Sequence, residues 1–135
     1  MSTKKYKAVM LIDDNEIDNL INQKMIEAAA IADNIYTHTG AKSAIEFLKN
    51  IERIDEVDKV LPDVIFLDID MPLMDGFQFL EEFEKLSNVV KKKCKIVMLT
   101  SSINPQDFSR SKKYENVKVY LNKPLSHENI VKLDV

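Results

Sequence analysis

Asp13 and Asp14 close one short apolar run of this chain, Asp68 closes another, Thr100 and Ser101 follow a third, and Lys123 follows a fourth. Carboxylates, hydroxyls and an amine delivered in this way can serve a single chemistry. Clustered carboxylates attract a hard divalent cation, and Mg²⁺ favours a few protein oxygens with water and phosphate completing its shell. Such a cation and Lys123 would neutralise the charge of a phosphoryl group in transfer, while Thr100 donates a hydrogen bond to one of its oxygens. Asp68 would be the nucleophile: a carboxylate can form an acyl phosphate, and a cation beside it keeps it ionised and screens repulsion from the incoming phosphate. One such aspartate alone would carry little weight, because Asp is common in turns. The weight lies in several groups arriving at one place.

Their placement depends on the elements between them. Lys7–Ile12, Val64–Leu67 and Lys95–Leu99 are short continuous apolar runs, the pattern of strands buried on both faces of a parallel sheet. Asn34–His38 and Val117–Leu121 are weaker strands of the same kind. Helical spacing fills the intervals. Asn15 is a cap for a first helix over 16–30, with Ile17, Leu20, Ile21, Met25 and Ala28 expected to face the core. Ala41, Ala44, Ile45 and Leu48 mark a second helix to about Asn50, and Phe79, Leu80, Phe83 and Leu86 a third that follows Gly76.

Asn104 and Pro105 signal a fourth helix over 106–114, in which only Phe108 is an evident inward residue, so this element is expected to be held weakly. Ser126 caps a short last helix from His127 to about Leu133. Ile51–Leu61 suits a helix end followed by a long acidic loop, and Lys91–Lys93 a basic loop on the wet surface. His38 has no neighbouring ligand types and ends its strand without a chemical role.

Five strand–helix repeats predict an α/β fold, a doubly wound all-parallel sheet with helices on both faces. In such sheets ligands bind beyond the carboxyl ends of the strands, where the acids, hydroxyls and lysine would meet. With two glycines in the chain, neither a dinucleotide fingerprint nor a P-loop is present. The 135 residues suit one domain, and 45% apolar with 30% charged residues is ordinary globular composition. A net charge of −3 disfavours a nucleic-acid surface. Cys94, the single cysteine, reads as a small buried hydrophobe that cannot form an internal disulfide. No apolar run has the length of a membrane span, and a cytoplasmic location is expected.

The acidic pair Asp13-Asp14, the D-x-D-M-P-x-M-D-G stretch from Asp68, the strand-end Thr100-Ser101 and Lys123-Pro124 stand in an order and spacing that resemble the receiver domain of two-component response regulators. The match spans essentially the whole chain, as a stand-alone receiver over 1–135 similar to the chemotaxis regulators. The resemblance implies a flavodoxin-like five-stranded sheet of order 2-1-3-4-5. It implies that Asp68 accepts phosphate from a histidine kinase or a histidine phosphotransfer protein. Asp14 would ligate Mg²⁺ directly and Asp13 mainly through water, with Asp68 and the backbone carbonyl of Asp70 as the other protein ligands. Thr100 and Lys123 would bind phosphoryl oxygens, and Lys123-Pro124 would be a cis bond.

Tyr120 matches the family's switch aromatic, which responds when Thr100 is drawn toward the phosphate. The fourth helix, fifth strand and last helix would form the surface offered to a downstream protein target. The resemblance implies a phosphoacceptor with its own phosphotransfer and autodephosphorylation chemistry rather than an enzyme with a separate substrate. Asp70 adds an acid beside the phosphorylation site, where it can alter the lifetime of the acyl phosphate. The long loop after the second helix and the short last helix also depart from the family pattern.

Two other readings use the same residues. Asp68-x-Asp70 after an apolar strand, with Thr100 and Lys123, is similar to the aspartyl-nucleophile phosphohydrolases of the haloacid-dehalogenase type. In that family the nucleophile strand comes first and an acidic pair comes late, whereas here Asp13-Asp14 precede Asp68, and the chain has no room for a cap domain. A pseudo-receiver that only binds a partner would not need the full set of acids, hydroxyl and lysine.

Overall fold

Strands form where the apolar runs lie, and each central strand sends side chains to both faces of a sheet. The computed structural model describes residues 4–54, 60–101 and 104–135. In chain order the elements are β1 (Tyr6–Ile12), α1 (Glu16–Ala29), β2 (Ala32–His38), α2 (Ala41–Ile51), β3 (Val64–Asp68), α3 (Gly76–Phe83), α4 (Asn88–Lys93), β4 (Lys95–Thr100), α5 (Pro105–Ser111), β5 (Val117–Asn122) and α6 (His127–Val131). The five strands are all parallel, in the order β2-β1-β3-β4-β5. Among the described residues no helix is long and apolar enough to cross a membrane.

Alternation along the strands builds two cores. Val9, Leu11, Phe66, Val97 and Leu99 pack on one face with Ile26 of α1 and Ile130 of α6. Met10, Ile12, Ile65, Leu67, Ile96 and Met98 pack on the other with Ala44, Ile45 and Leu48 of α2 and Phe79, Leu80 and Phe83 of α3. Each fully buried large apolar side chain contributes about 1.5–3 kcal/mol, so this double burial holds the sheet rigid beneath its loops. Cys94 lies in the second core, where burial pushes its thiol up to about 12, as suits a small hydrophobe.

Asn15, Asn104 and Ser126 cap their helices as expected, each accepting backbone N–H groups of the first turn. Other expectations need correction. Lys91–Lys93 are the last turn of a short helix, α4, not a loop; only Val90 anchors it, and one apolar residue leaves no periodicity to read. The three lysines favour helix there because cations complement the negative end of the helix dipole.

Phe108 is 41% exposed and meets the edge of Tyr120, while Ser111 is the residue α5 buries. That helix ends at Ser111, earlier than the expected 114, and Leu86 and Leu133 are buried just beyond the ends of α3 and α6. The acidic loop expected over 51–61 falls partly on 55–59, outside the described residues, and α2 runs to Ile51.

The largest correction concerns α1. Ile17, Leu20 and Ile21 are exposed, and Asn19, Asn22 and Ile26 are the buried residues. Polar side chains win this face because the loops it packs on present backbone groups with hydrogen-bonding capacity still to fill, and a buried polar group left short of partners is costly. Asn19 Nδ2 donates to the carbonyl oxygens of Asp13 and His38, at 2.9 and 3.2 Å. Asn22 Oδ1 accepts from the Leu125 amide at 3.1 Å. The helix therefore ties together the loops after β1, β2 and β5.

Candidate functional site

Register decides which strand ends meet. Ile12 pairs with Leu67, Asp68 with Leu99, and Thr100 with Asn122, so Asp13, Asp68, Thr100 and Lys123 arrive at the same edge of the sheet. Backbone bonds carry the register past the strands. The Asp13 amide donates to His38 O at 3.1 Å, the Ile69 amide to Leu99 O at 3.0 Å and the Lys123 amide to Thr100 O at 2.7 Å.

Asp13, Asp68 and Thr100 are each 2% exposed, whereas Asp14, Asp70 and Ser101 face solvent. Carboxylate oxygens of Asp13, Asp14 and Asp68 all lie within 4.8 Å of one another. Lys123 stands over them: its Nζ is 3.0 Å from Asp13 Oδ2, 3.0 Å from Asp18 Oδ2 and 3.3 Å from Asp68 Oδ1. The Lys123–Pro124 bond is cis. Ser102, the next hydroxyl in the chain after Ser101, lies outside the described residues.

Burial lifts the Asp68 carboxyl to about 7, and the nearby Asp13 charge adds to the rise, against the pull of Lys123 and of the Asp70 amide, which donates to Asp68 Oδ1. Burial opposes charge on Lys123 too, yet its hydrogen bonds to Asp13 and Asp18 and the charge of Asp68 outweigh it and hold the ammonium well above its ordinary pKa. Lys123 is shared by Asp13, Asp18 and Asp68, and the exposed Asp14 carboxylate beside them adds a further negative charge, so the cluster remains short of positive charge. An all-oxygen, anionic donor set of this kind suits a hard divalent cation.

The loop after β3 is held close by Gly76. Its amide donates to Ile69 O at 2.9 Å, and a Cβ there would come within 2.9 Å of the Asp68 carbonyl oxygen and of Ile69 Cα. Both obstacles are backbone and cannot swing aside. Gly76→Ala is expected to cost about 1–3 kcal/mol by overpacking and to displace Asp68. A lowered midpoint in urea, together with weakened divalent-cation binding, is the measurement. Asp75 then starts α3 with a capping box, exchanging hydrogen bonds of 2.9 Å with Gln78.

Tyr120 pairs with Met98, one pleat below Thr100 on the neighbouring strand. Its ring is half-buried, its hydroxyl is buried with no hydrogen-bond partner of good geometry, and burial followed by the Asp107 charge raises its pKa. Phe108 meets it edge-on, centroids 5.4 Å apart. His38 donates to or accepts from Ser43 Oγ at 2.8 Å and tilts against Phe47, away from this chemistry.

Asp18 is the site residue that the sequence reading missed. A polar stripe of Asp18, Asn19 and Asn22 along α1 was its available signal, masked by the more conspicuous isoleucines and leucine.

Residues 9–133 match the family model described as the response regulator receiver domain. The chain is 31% identical over 120 residues to the sensor histidine kinase CheAY of Helicobacter pylori, covering 89% of this chain and 13% of that protein. It is 27% identical over 128 residues to the response regulator Rcp1 of Synechocystis, covering 94% of this chain and 83% of that one. A crystal structure of a two-component response regulator from Cytophaga hutchinsonii superimposes with a TM-score of 0.85 at 27% identity, covering 95% of this chain and 93% of that one. The chain spans between 13% and 27% of the length of the first three curated relatives it matches, and 83% of Rcp1. With this sheet order, this meeting of acids and lysine, and a family match over nearly its whole length, the chain belongs to the receiver domains of two-component response regulators, which are phosphorylated on an aspartate.

Proposed function

We propose that Asp68 is the phosphoacceptor and that Asp13, Asp14, Asp68 and the backbone carbonyl of Asp70 hold Mg²⁺ for the reaction. What supports this most is the Lys123 ammonium 3.3 Å from the Asp68 carboxylate, with the Asp13 and Asp14 carboxylates gathered beside it. The donor is a phosphohistidine of a histidine kinase or a histidine phosphotransfer protein. An Asp68 oxygen forms the new P–O bond as the donor's P–N bond breaks, and that electron pair returns to the imidazole nitrogen. When bound, Mg²⁺ supplies positive charge to the phosphoryl oxygens and keeps Asp68 ionised.

Lys123 holds a phosphoryl oxygen from one side and Thr100 from the end of β4, both on a rigid sheet edge, so little reorganisation is needed at the moment of transfer. Exposed Ile17, Leu20 and Ile21 of α1 and Leu73 of the loop after β3 offer an apolar rim to the donor protein. Phosphorylation then acts as a population shift: Thr100 and Tyr120 favour a rearranged surface of α5, β5 and α6 for a downstream protein target.

The test is intact mass after incubation with Mg²⁺ and a small acyl-phosphate donor. One added phosphoryl group supports the receiver reading, and sustained turnover of unrelated phosphate esters would support a hydrolase instead. The pH dependence follows from Asp68. With its pKa raised to about 7, the cation-free protein carries a proton there at lower pH, and Mg²⁺ must displace it. Mg²⁺ affinity is therefore expected to fall by up to about tenfold per unit below pH 7. Calorimetric titrations at pH 6, 7 and 8 on the order of a unit apart check this, with Asp68→Asn losing the dependence.

A further inference from the structure

Asp18, in the first turn of α1, is the acid at this site that the chemistry above leaves unused. Its Oδ2 lies 3.0 Å from Lys123 Nζ, a position fixed by the Asn15 side chain, which accepts from the Asp18 amide at 3.1 Å. A lysine ammonium has three N–H donors and no more. Here they face Asp13 and Asp18, each in a hydrogen bond, and Asp68 in an ion pair. Phosphorylation takes the Asp68 carboxylate out of this set, and a phosphoryl group that is to engage more than that one donor must draw another from Asp13 or Asp18.

The carboxylates differ in what release would cost. The Asp13 side chain is 3% exposed, so release would leave it as a buried charge without this partner. Asp18 is 36% exposed and borders a cleft of about 240 Å³ lined also by Ile21, Asn22, Ser101 and Pro124, where water can solvate it. It also stays at the positive end of the α1 dipole, which favours an anion with or without Lys123. Release of Asp18 costs least.

We infer that Asp18 is a positioning residue that holds the Lys123 ammonium before phosphorylation and competes with the incoming phosphoryl group for it. This rests on Asp68 as the phosphoacceptor. Breaking a partly exposed, hydrogen-bonded ion pair opposes phosphoryl binding, so neutralising Asp18 strengthens that binding. The rearrangement begins on α1, the helix that ties down the loops after β1 and β5, and so gives phosphorylation a second route into the fold besides Thr100 and Tyr120.

The experiment measures beryllofluoride affinity by calorimetry at saturating Mg²⁺ for the wild type, Asp18→Asn, Asp18→Ser and Asp18→Glu. The Asn and Ser variants are expected to bind roughly three- to tenfold more tightly, and Glu to return affinity toward the wild type. With a small acyl-phosphate donor, KM falls in the same order while kcat changes less. A residue with only a structural role would weaken binding and lower the unfolding midpoint in proportion. Unchanged or weaker affinity in both neutral variants overturns the inference while wild-type phosphorylation at Asp68 stands. If the wild type takes no phosphate at Asp68, the phosphoacceptor reading fails and this one with it.

Discussion

Lys123→Ala is expected to lose about 3–5 kcal/mol of folding stability at pH 8 in the absence of divalent cations. The lysine is the cation shared by Asp13, Asp18 and Asp68, and two of those carboxylates are buried. Taking it away leaves negative charges facing one another with water largely excluded. Protonation relieves the penalty, so the loss shrinks as pH falls through the raised pKa of Asp68 and below it. Mg²⁺ relieves it by another route, and millimolar Mg²⁺ is expected to restore more stability to the variant than it adds to the wild type. Urea unfolding at pH 8 and pH 5, with and without Mg²⁺, reads all of these effects. A variant as stable as the wild type at pH 8 would mean that the lysine is not needed to balance the acids.

Asp68→Asn moves stability the other way while removing phosphorylation. The Asp68 carboxyl sits at about 7 in the folded protein against an ordinary value of 3.8, so between those limits the folded state binds more protons than the unfolded one. Stability therefore falls as pH rises through that window and stays low above it. Asparagine removes the charge and keeps the shape, and Lys123 retains Asp13 and Asp18. The variant is expected to be more stable by on the order of 2 kcal/mol at pH 8, with the gap closing toward pH 4 and reversing in saturating Mg²⁺, which the wild type binds better. It takes up no phosphate from an acyl-phosphate donor. A site organised for function at the expense of stability has this signature.

Much of this was legible in the residues alone. Continuous apolar runs at β1, β3 and β4 have the pattern of strands covered on both faces, and alternate repeats with helices leave a parallel sheet as the economical arrangement. The strand-end positions of Asp13, Asp68 and Thr100 followed from the ends of those runs, and that of Lys123 from the end of the weaker run at β5. The face of α1 did not follow. Ile17, Leu20 and Ile21 satisfy helical periodicity, but periodicity locates an apolar stripe without saying that the stripe is covered.

What covers the opposite side is a set of loop backbone groups, and their demand for Asn19 and Asn22 exists only once the strands are assembled. Asp18 was hidden for the same reason, since its partner lies over a hundred residues along the chain and nothing local to α1 reports it. α4 escaped notice because Val90 is a lone anchor, and Phe108 was misplaced because a single aromatic in a short polar helix has no neighbours to fix its side.

Reduction of the acyl phosphate with borohydride, followed by peptide mapping, locates the modified side chain most directly. After treatment with Mg²⁺ and a small acyl-phosphate donor, position 68 alone is expected to appear as homoserine, and the conversion is lost when Mg²⁺ is chelated. Homoserine at Asp13, Asp14 or Asp70, or no conversion in a protein shown to be folded and to bind Mg²⁺, would contradict the assignment of Asp68 as the residue that takes the phosphate.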